Sequence, residues 1–150
     1  MAHVEKFKAA AIAPMLHHYT RDNERTLSRE NIDRERTREN YRIGPERGRD
    51  YIDGRVREIE RDQGRAVRSD AVRMCDWVVT APPDLKREDM RRFFESCHRF
   101  FEDRYGERNM LGSYVHMDET TPHVHVAFMP IKERDGHERL TAKEVLSRED

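Results

Sequence analysis

The chain has 150 residues, enough for one domain with a core of its own, and 39% of them are charged while only 35% are hydrophobic. With 29 basic residues against 30 acidic ones the formal net charge is −1, so the composition excludes the overall basic surplus of many nucleic-acid-binding proteins. No apolar run approaches transmembrane length and no signal peptide is recognisable, which predicts a soluble, cytoplasmic protein without membrane contact.

The first half of the chain is predominantly polar. Residues 3–16 show a strand-like alternation only as far as Pro14. Residues 17–50 are too hydrophilic to form a core, and their many turn formers predict a long loop with short helical pieces that wraps a site. Residues 51–63 place apolar side chains at helical spacing, and Gly64 suits the end of that helix.

The second half contains the more regular patterns. Residues 72–80 are rich in strand formers and are followed by Ala81-Pro82-Pro83, which predicts a central strand. Residues 86–105 repeat apolar groups at helical spacing before Gly106, which predicts a helix packed on a sheet. Residues 113–117 and 123–130 are predicted to pair as an antiparallel hairpin, and a last helix is predicted to begin near Thr141.

Three histidines cluster at positions 116, 123 and 125. Residues two apart on a strand point to the same face, so His123 and His125 project together. A hairpin through residues 118–122 places His116 on the neighbouring strand, close enough to complete a three-imidazole face around one divalent cation. Three neutral nitrogens with open coordination positions favour a catalytic over a structural site. Imidazole suits manganese, nickel, cobalt or zinc better than magnesium or calcium.

Two carboxylates lie in the predicted turn of this hairpin. Asp118 is a candidate to orient one of the ligand imidazoles by accepting its second N–H group. Glu119 is a candidate general base facing a nucleophile. The alternative is that both residues serve only the turn, and an H-x-H pattern can also be a pair of ordinary histidines.

Arginines are frequent between residues 54 and 73. If they line one surface they can neutralise phosphates, and Arg65, Arg68 and Arg73 are the candidates we assign to DNA binding. The alternative is a solvated helix face, because Glu58 and Glu60 are interleaved with these arginines and can form local ion pairs.

The segment YVHMDETTPHVHV at residues 114–126 carries the three histidines. Upstream of it stand, in chain order, His18-Tyr19-Thr20-Arg21, Asn31-Ile32-Asp33, Asn40-Tyr41, residues 68–72 and residues 77–79. These segments resemble, in the same order, the motifs of the Mob/Pre plasmid mobilisation and recombination enzymes, the MobV-type relaxases of the HUH endonuclease superfamily. The resemblance covers nearly the whole chain, and its metal motif is highly specific.

The resemblance implies a nucleophilic histidine. His18 would attack a DNA phosphate, leaving a phosphoramidate link to the 5′ end and a free 3′ hydroxyl. Glu119 would accept the proton of His18 or orient its ring, and Arg21 would steady the nucleophile or the phosphate charge. The metal ligands carry over as His116, His123 and His125, with Mn²⁺ as the first candidate ion. A neutral imidazole is available near physiological pH, which agrees with this role.

Other nucleophiles stay open at this point. Many nucleases of the wider class use tyrosine, so Tyr19 and Tyr41 are alternatives. The tandem His17-His18 also leaves the register of the nucleophile open. Tyr41 and Arg68 are, in addition, candidate DNA contacts.

The resemblance further implies an α+β fold, with a central antiparallel sheet flanked by helices. The implied partners are single-stranded and hairpin DNA at a plasmid origin of transfer and the conjugation machinery of a bacterium. Residues 1–150 are expected to be one relaxase domain, the N-terminal part of a longer protein. Two other functions remain open: a rolling-circle replication initiator with a tyrosine nucleophile, and a metal-bound DNA-binding autoregulator that cuts nothing.

Overall fold

A computed structural model describes residues 1–147 and shows a five-stranded antiparallel sheet flanked by helices, so the predicted α+β fold is confirmed. The strands of this sheet are β1 (Ala2–Lys8), β2 (Tyr41–Ile43), β3 (Val72–Thr80), β4 (Met110–His116) and β5 (His123–Phe128). Their order is β1-β3-β5-β4-β2, which puts the β4–β5 hairpin inside the sheet. A separate hairpin is formed by β6 (Ile131–Arg134) and β7 (His137–Leu140).

Five α-helices accompany the sheet within the described residues. They are α1 (Ala9–Thr20), α2 (Glu24–Leu27), α3 (Arg49–Gln63), α4 (Arg87–Tyr105) and α5 (Ala142–Val145). Short 3-10 turns occur at Thr37–Glu39 and Glu107–Asn109. No helix among residues 1–147 combines the length and the apolar character needed to cross a membrane.

The side chains of the sheet alternate between two cores. One core lies between the sheet and helices α1 and α3, and it contains Ile12, Ile52, Ile59, Met74 and Ala127. The other lies between the sheet and α4, and it contains Phe94, Phe101, Val115, Val124 and Val126. Consequently His123 and His125, which alternate with Val124 and Val126, face the side of the sheet that carries α1.

Helix α1 differs from the sequence prediction. Strand β1 ends at Lys8, and residues 17–20 form the last turn of a helix instead of the start of a loop. Pro14 lies inside this helix, where proline costs about 3 kcal/mol. Ile12 and Tyr19 on the same helix are 1% and 2% exposed, and burial of two such side chains is worth more than that cost. The sequence prediction was therefore wrong here because tertiary packing outweighs local preference.

The other predicted elements are present, most of them with ends shifted by a few residues. Helix α3 begins two residues before the predicted start at residue 51, and strand β3 has the predicted bounds. Strands β2, β6 and β7 were not predicted, because segments of three or four residues carry too little periodicity. Gly64 ends α3 in the left-handed conformation, at φ 72°.

Gly112 is required where strand β4 bulges. The pairing with β5 shifts between Met110 and Gly112, and Gly112 has φ 152°. A Cβ atom there would lie 2.6 Å from the backbone oxygen of Pro45. We expect Gly112→Ala to lower the free energy of unfolding by about 1–3 kcal/mol, measured by chemical denaturation. Gly48→Ala is the control, because no atom lies within 4 Å of its Cβ position; an equal loss in both variants would contradict this account.

Candidate metal centre and active site

The β4–β5 hairpin brings the three predicted ligand histidines together. His116 pairs directly with His123, and His125 pairs with Tyr114 one step further along the ladder. The ring centroids lie 5.4 Å apart for His116 and His123, 5.0 Å for His116 and His125, and 4.9 Å for His123 and His125. The predicted three-imidazole face is therefore present, and it is buried: the three residues are 0%, 9% and 6% exposed.

Each of the three rings has one nitrogen bonded to an oxygen acceptor. The bonds are His116 Nε2 to the carbonyl of Tyr19 (2.9 Å), His123 Nδ1 to the carbonyl of Thr121 (2.8 Å) and His125 Nδ1 to Asp76 Oδ2 (2.8 Å). A neutral imidazole that donates through one nitrogen keeps a lone pair on the other. When the three rings are neutral, as ligation of a metal ion requires, the nitrogens that keep a lone pair are His116 Nδ1, His123 Nε2 and His125 Nε2. Among the described residues, His116 Nδ1 and His125 Nε2 are buried without a hydrogen-bond partner, which fits nitrogens that bind a metal ion.

Among residues 1–147, the potential ligand atoms form two groups whose members lie within 4.8 Å of one another. One group is His18, His116 and His125; the other is His116, Glu119 and His123. The predicted trio is divided between these groups, with His116 common to both. Glu119 Oε2 lies 3.4 Å from His116 Nδ1 and 3.3 Å from His123 Nε2. Neutral nitrogens beside one carboxylate suit manganese, cobalt, nickel or zinc.

His18 reaches this face from the last turn of α1. Its ring centroid lies 5.3 Å from those of both His116 and His125. Burial, with the nearby His125, Arg21 and His116, lowers the pKa of His18 to about 3, so its imidazole is neutral. A neutral ring beside the ligand histidines has the protonation state that a nucleophile needs.

The rival nucleophiles are placed less favourably than His18. The Tyr19 hydroxyl is buried and donates to Asp76, and burial together with that carboxylate raises its pKa well above 10. Tyr41 packs on the opposite face of the sheet, with the Arg91 guanidinium 4.0 Å above its ring. His17 is exposed and bonds Asp22 at 2.6 Å. Tyr41 is also a candidate DNA contact, and in that role too it lies away from the histidine face.

Arg21 ends α1 in the left-handed conformation and is fully engaged by its neighbours. Its Nε and one terminal nitrogen donate to the two oxygens of Asp118, at 3.1 and 3.0 Å, and the same terminal nitrogen donates to Glu119 at 2.7 Å. Its other terminal nitrogen donates to the carbonyl and to Nδ1 of His18, at 2.7 and 3.2 Å. These bonds use all five N–H groups of a guanidinium. Arg21 is thus bonded to His18, and its contacts within residues 1–147 occupy every N–H group that it could offer to a phosphate.

The two predicted carboxylates lie at the site with different partners. Asp118 accepts from Arg21 and Thr37, not from a histidine. Glu119 accepts from Asn31 at 2.9 Å, and Arg21 donates both to Glu119 and to His18. Burial raises the pKa of Glu119, but its contacts with His116, His123 and Arg21 outweigh burial and hold that pKa well below its usual range. Glu119 is therefore an ionised acceptor in this arrangement.

The carboxylate that does bond a ligand histidine is Asp76, which the sequence prediction missed. It lies in the middle of strand β3 and is fully buried. A charged residue inside an apolar strand was the available signal, because buried carboxylates need strong partners.

The structure does not bring Arg65, Arg68 and Arg73 to the histidine face. Val78 of β3 pairs with His125, and Arg73 lies five residues earlier, about 17 Å along the strand. Arg65 and Arg68 lie in the connection before β3, and Arg68 pairs with Asp70 at 3.0 Å. These arginines surround the opposite end of the sheet.

The five-stranded antiparallel sheet with its flanking helices is the fold of a solved relaxase domain. The relaxase domain of MobM, solved with manganese and bound to plasmid pMV158 oriT DNA, aligns with a TM-score of 0.84 and 34% identity over 99% of this chain and 77% of that one. The chain belongs to the Mob_Pre family, the plasmid recombination enzymes, whose family model matches residues 1–150.

Curated relatives extend this assignment. A plasmid recombination enzyme type 2 from Staphylococcus aureus (strain Mu50) is 36% identical over 154 residues, covering 98% of this chain and 35% of the relative. A plasmid recombination enzyme from Bacillus thuringiensis is 34% identical over 152 residues, covering 99% of this chain and 33% of the relative. The chain spans about a third of the length of these two relatives.

Proposed function

We propose that residues 1–150 form the nuclease domain of a DNA relaxase, which nicks one strand of plasmid DNA at an origin of transfer and stays attached to the 5′ end. The observation that carries this proposal is the position of His18: its neutral ring lies 5.3 Å, centroid to centroid, from two histidines of the candidate metal face. A nucleophile beside a cation that binds the scissile phosphate is the arrangement a nicking reaction needs.

The covalent step is a nucleophilic substitution at phosphorus. A ring nitrogen of His18 forms a bond to the scissile phosphorus, and the bond from phosphorus to O3′ breaks with its electron pair going to O3′. The imidazole loses its proton and O3′ gains one, which leaves a phosphoramidate on the 5′ side and a free 3′ hydroxyl. The reverse reaction rejoins the strand.

The ligands of the proposed ion are His116, His123 and His125, with Glu119 within reach. A bound divalent cation supplies charge neutralisation at a phosphoryl oxygen. Manganese is the first candidate, because the similar relaxase domain was solved with manganese. The chain's own residues position the nucleophile: Arg21 donates to Nδ1 of His18, and Asp118 and Glu119 accept hydrogen bonds from Arg21.

The proposed substrate is single-stranded and hairpin DNA at an origin of transfer. The support is that the similar relaxase domain was solved bound to plasmid pMV158 oriT DNA. We propose that the chain acts in the bacterial cytoplasm, where the conjugation machinery would receive the nicked strand. Because Arg65, Arg68 and Arg73 lie at the far end of the sheet, any contacts they make are with DNA distant from the scissile phosphate.

A covalent-trapping experiment tests the proposal. The chain is incubated with a 3′-labelled oligonucleotide of the pMV158 origin, and in parallel with a degenerate single-stranded library. With Mn²⁺ we expect a labelled protein band that resists denaturant, and with EDTA we expect none. The link should be stable in alkali and cleaved by mild acid, as a phosphoramidate is.

Three other outcomes would contradict the proposal. DNA binding without any band, whichever of manganese, nickel or cobalt is supplied, would favour the autoregulator. A band stable in acid would favour a tyrosine nucleophile and a replication initiator. A band of equal strength in EDTA would exclude the metal.

A further inference from the structure

Asp76 is a buried carboxylate held between two donors. Its Oδ2 accepts from the Tyr19 hydroxyl and from His125 Nδ1, both at 2.8 Å. The residue is 0% exposed, and its Oδ1 has no hydrogen-bond partner among the described residues. A buried carboxylate with one bare oxygen is costly unless a positive charge lies nearby. A cation on Nε2 of His125 would supply that charge through the ring.

We infer that Asp76 is the positioning residue of the metal ligand His125, and that Tyr19 holds Asp76 in place. This inference rests on the proposed function, because it concerns the same metal face. A carboxylate on Nδ1 fixes the tautomer of the ring, so that the lone pair stays on Nε2, and it makes that nitrogen more basic. Asp76 therefore sets the tautomer of His125 for metal binding without itself contacting the ion.

Tyr19 connects the nucleophile to the same face. It follows His18 directly, and it supports two ligand histidines: its carbonyl accepts from His116 Nε2 at 2.9 Å, and its hydroxyl donates to Asp76. Its ring stacks on Tyr114, with centroids 5.0 Å apart and planes 9° apart. Tyr19 thus links the last turn of α1 to the proposed ligands His116 and His125. Because His18 lies in the same turn, these contacts also position His18.

Metal affinity is the readout that tests this inference. Mn²⁺ binding to the metal-free chain is measured by titration calorimetry, without DNA. Asp76→Asn keeps the shape of the side chain but removes its charge, and we expect it to weaken Mn²⁺ binding about 10–100-fold. Tyr19→Phe should weaken binding by less. The double variant should bind no more weakly than Asp76→Asn alone, because Tyr19 acts on the ion through Asp76.

Tyr114→Phe is the matched control. Tyr114 lies in the same stack, yet its hydroxyl makes no hydrogen bond within residues 1–147, so this variant should bind Mn²⁺ like the parent. Thermal unfolding followed by circular dichroism confirms that each variant is folded. Unchanged affinity in folded Asp76→Asn would overturn the inference, and so would additive losses in the double variant.

The parent chain provides a second measurement that needs no variant. Long-range ¹H–¹⁵N spectra of the metal-free protein should show His125 protonated at Nδ1 and bare at Nε2. The opposite tautomer would overturn the inference. Failure of the parent to bind Mn²⁺ would overturn both the inference and the proposed metal site, whereas Asp76-dependent binding without strand nicking would overturn the proposed function alone.

Discussion

Replacing His18 with alanine should abolish both nicking and covalent attachment, with a loss of at least about 10³-fold in rate. The reason is positional: the His18 ring lies 5.3 Å, between centroids, from both His116 and His125, two of the proposed metal ligands. Alanine removes the attacking nitrogen and leaves the three ligand histidines in place. Single-turnover nicking of a labelled strand in the presence of Mn²⁺ measures the loss.

Two controls distinguish the proposed nucleophile from other candidate residues. His17→Ala should nick at close to the parental rate, because His17 is exposed and bonds only Asp22 among the described residues. Tyr41→Phe should also retain nicking, since its ring lies on the other face of the sheet. A nicking-competent His18→Ala combined with an inactive Tyr41→Phe would overturn the assignment.

Arg21→Ala should be the most destabilising single change near the site. It leaves the carboxylate of Asp118, whose side chain is 0% exposed, without its cationic partner. Removing one member of a buried ion pair costs about 3–5 kcal/mol, because the other charge stays buried and unpaired. We expect a loss of that size in the free energy of unfolding, measured by chemical denaturation. Nicking should fall as well, since nothing then holds Nδ1 of His18.

Arg34→Ala is the matched comparison for Arg21→Ala. Arg34 forms two hydrogen bonds to Glu24, at 2.7 and 3.1 Å, but the side chains are 55% and 70% exposed. Such a surface pair is worth less than about 1 kcal/mol. The double variant Arg21→Ala/Asp118→Ala should recover part of the lost stability, because no charge then remains unpaired. Similar losses in the Arg21 and Arg34 variants would show that the buried network does not stabilise the fold.

Local sequence patterns were sufficient to predict the β4–β5 hairpin and the grouping of its three histidines. Strand alternation put His123 and His125 on one face, and the short turn put His116 opposite His123, as the ladder shows. Both rules act over ten residues of sequence. For the same reason α4 and β3 were predictable from their own residues.

Long-range contacts were not predictable in this way. Asp76 and His125 are 49 positions apart, and Arg21 and Asp118 are 97 apart. No local pattern indicates which buried donor will meet which carboxylate, so Asp118 was assigned to a histidine whereas it contacts Arg21. The distance of Arg65, Arg68 and Arg73 from the histidine face was not predictable for a related reason, because sequence does not say at which end of the sheet a connection lies.

The sequence by itself determined the family, through the resemblance of its motifs, and that resemblance implied the α+β fold. It also determined the three clustered imidazoles, since period-two alternation and a tight turn leave little freedom to a hairpin. Tertiary structure alone decided how His18 meets that hairpin. Burial of Ile12 and Tyr19 makes residues 9–20 a helix in spite of Pro14, and the end of that helix carries His18 onto the face of the sheet. The packing of segments that are distant in sequence determines which nitrogen of each histidine ring bonds an oxygen and which one is open to a metal ion. No local propensity encodes that packing.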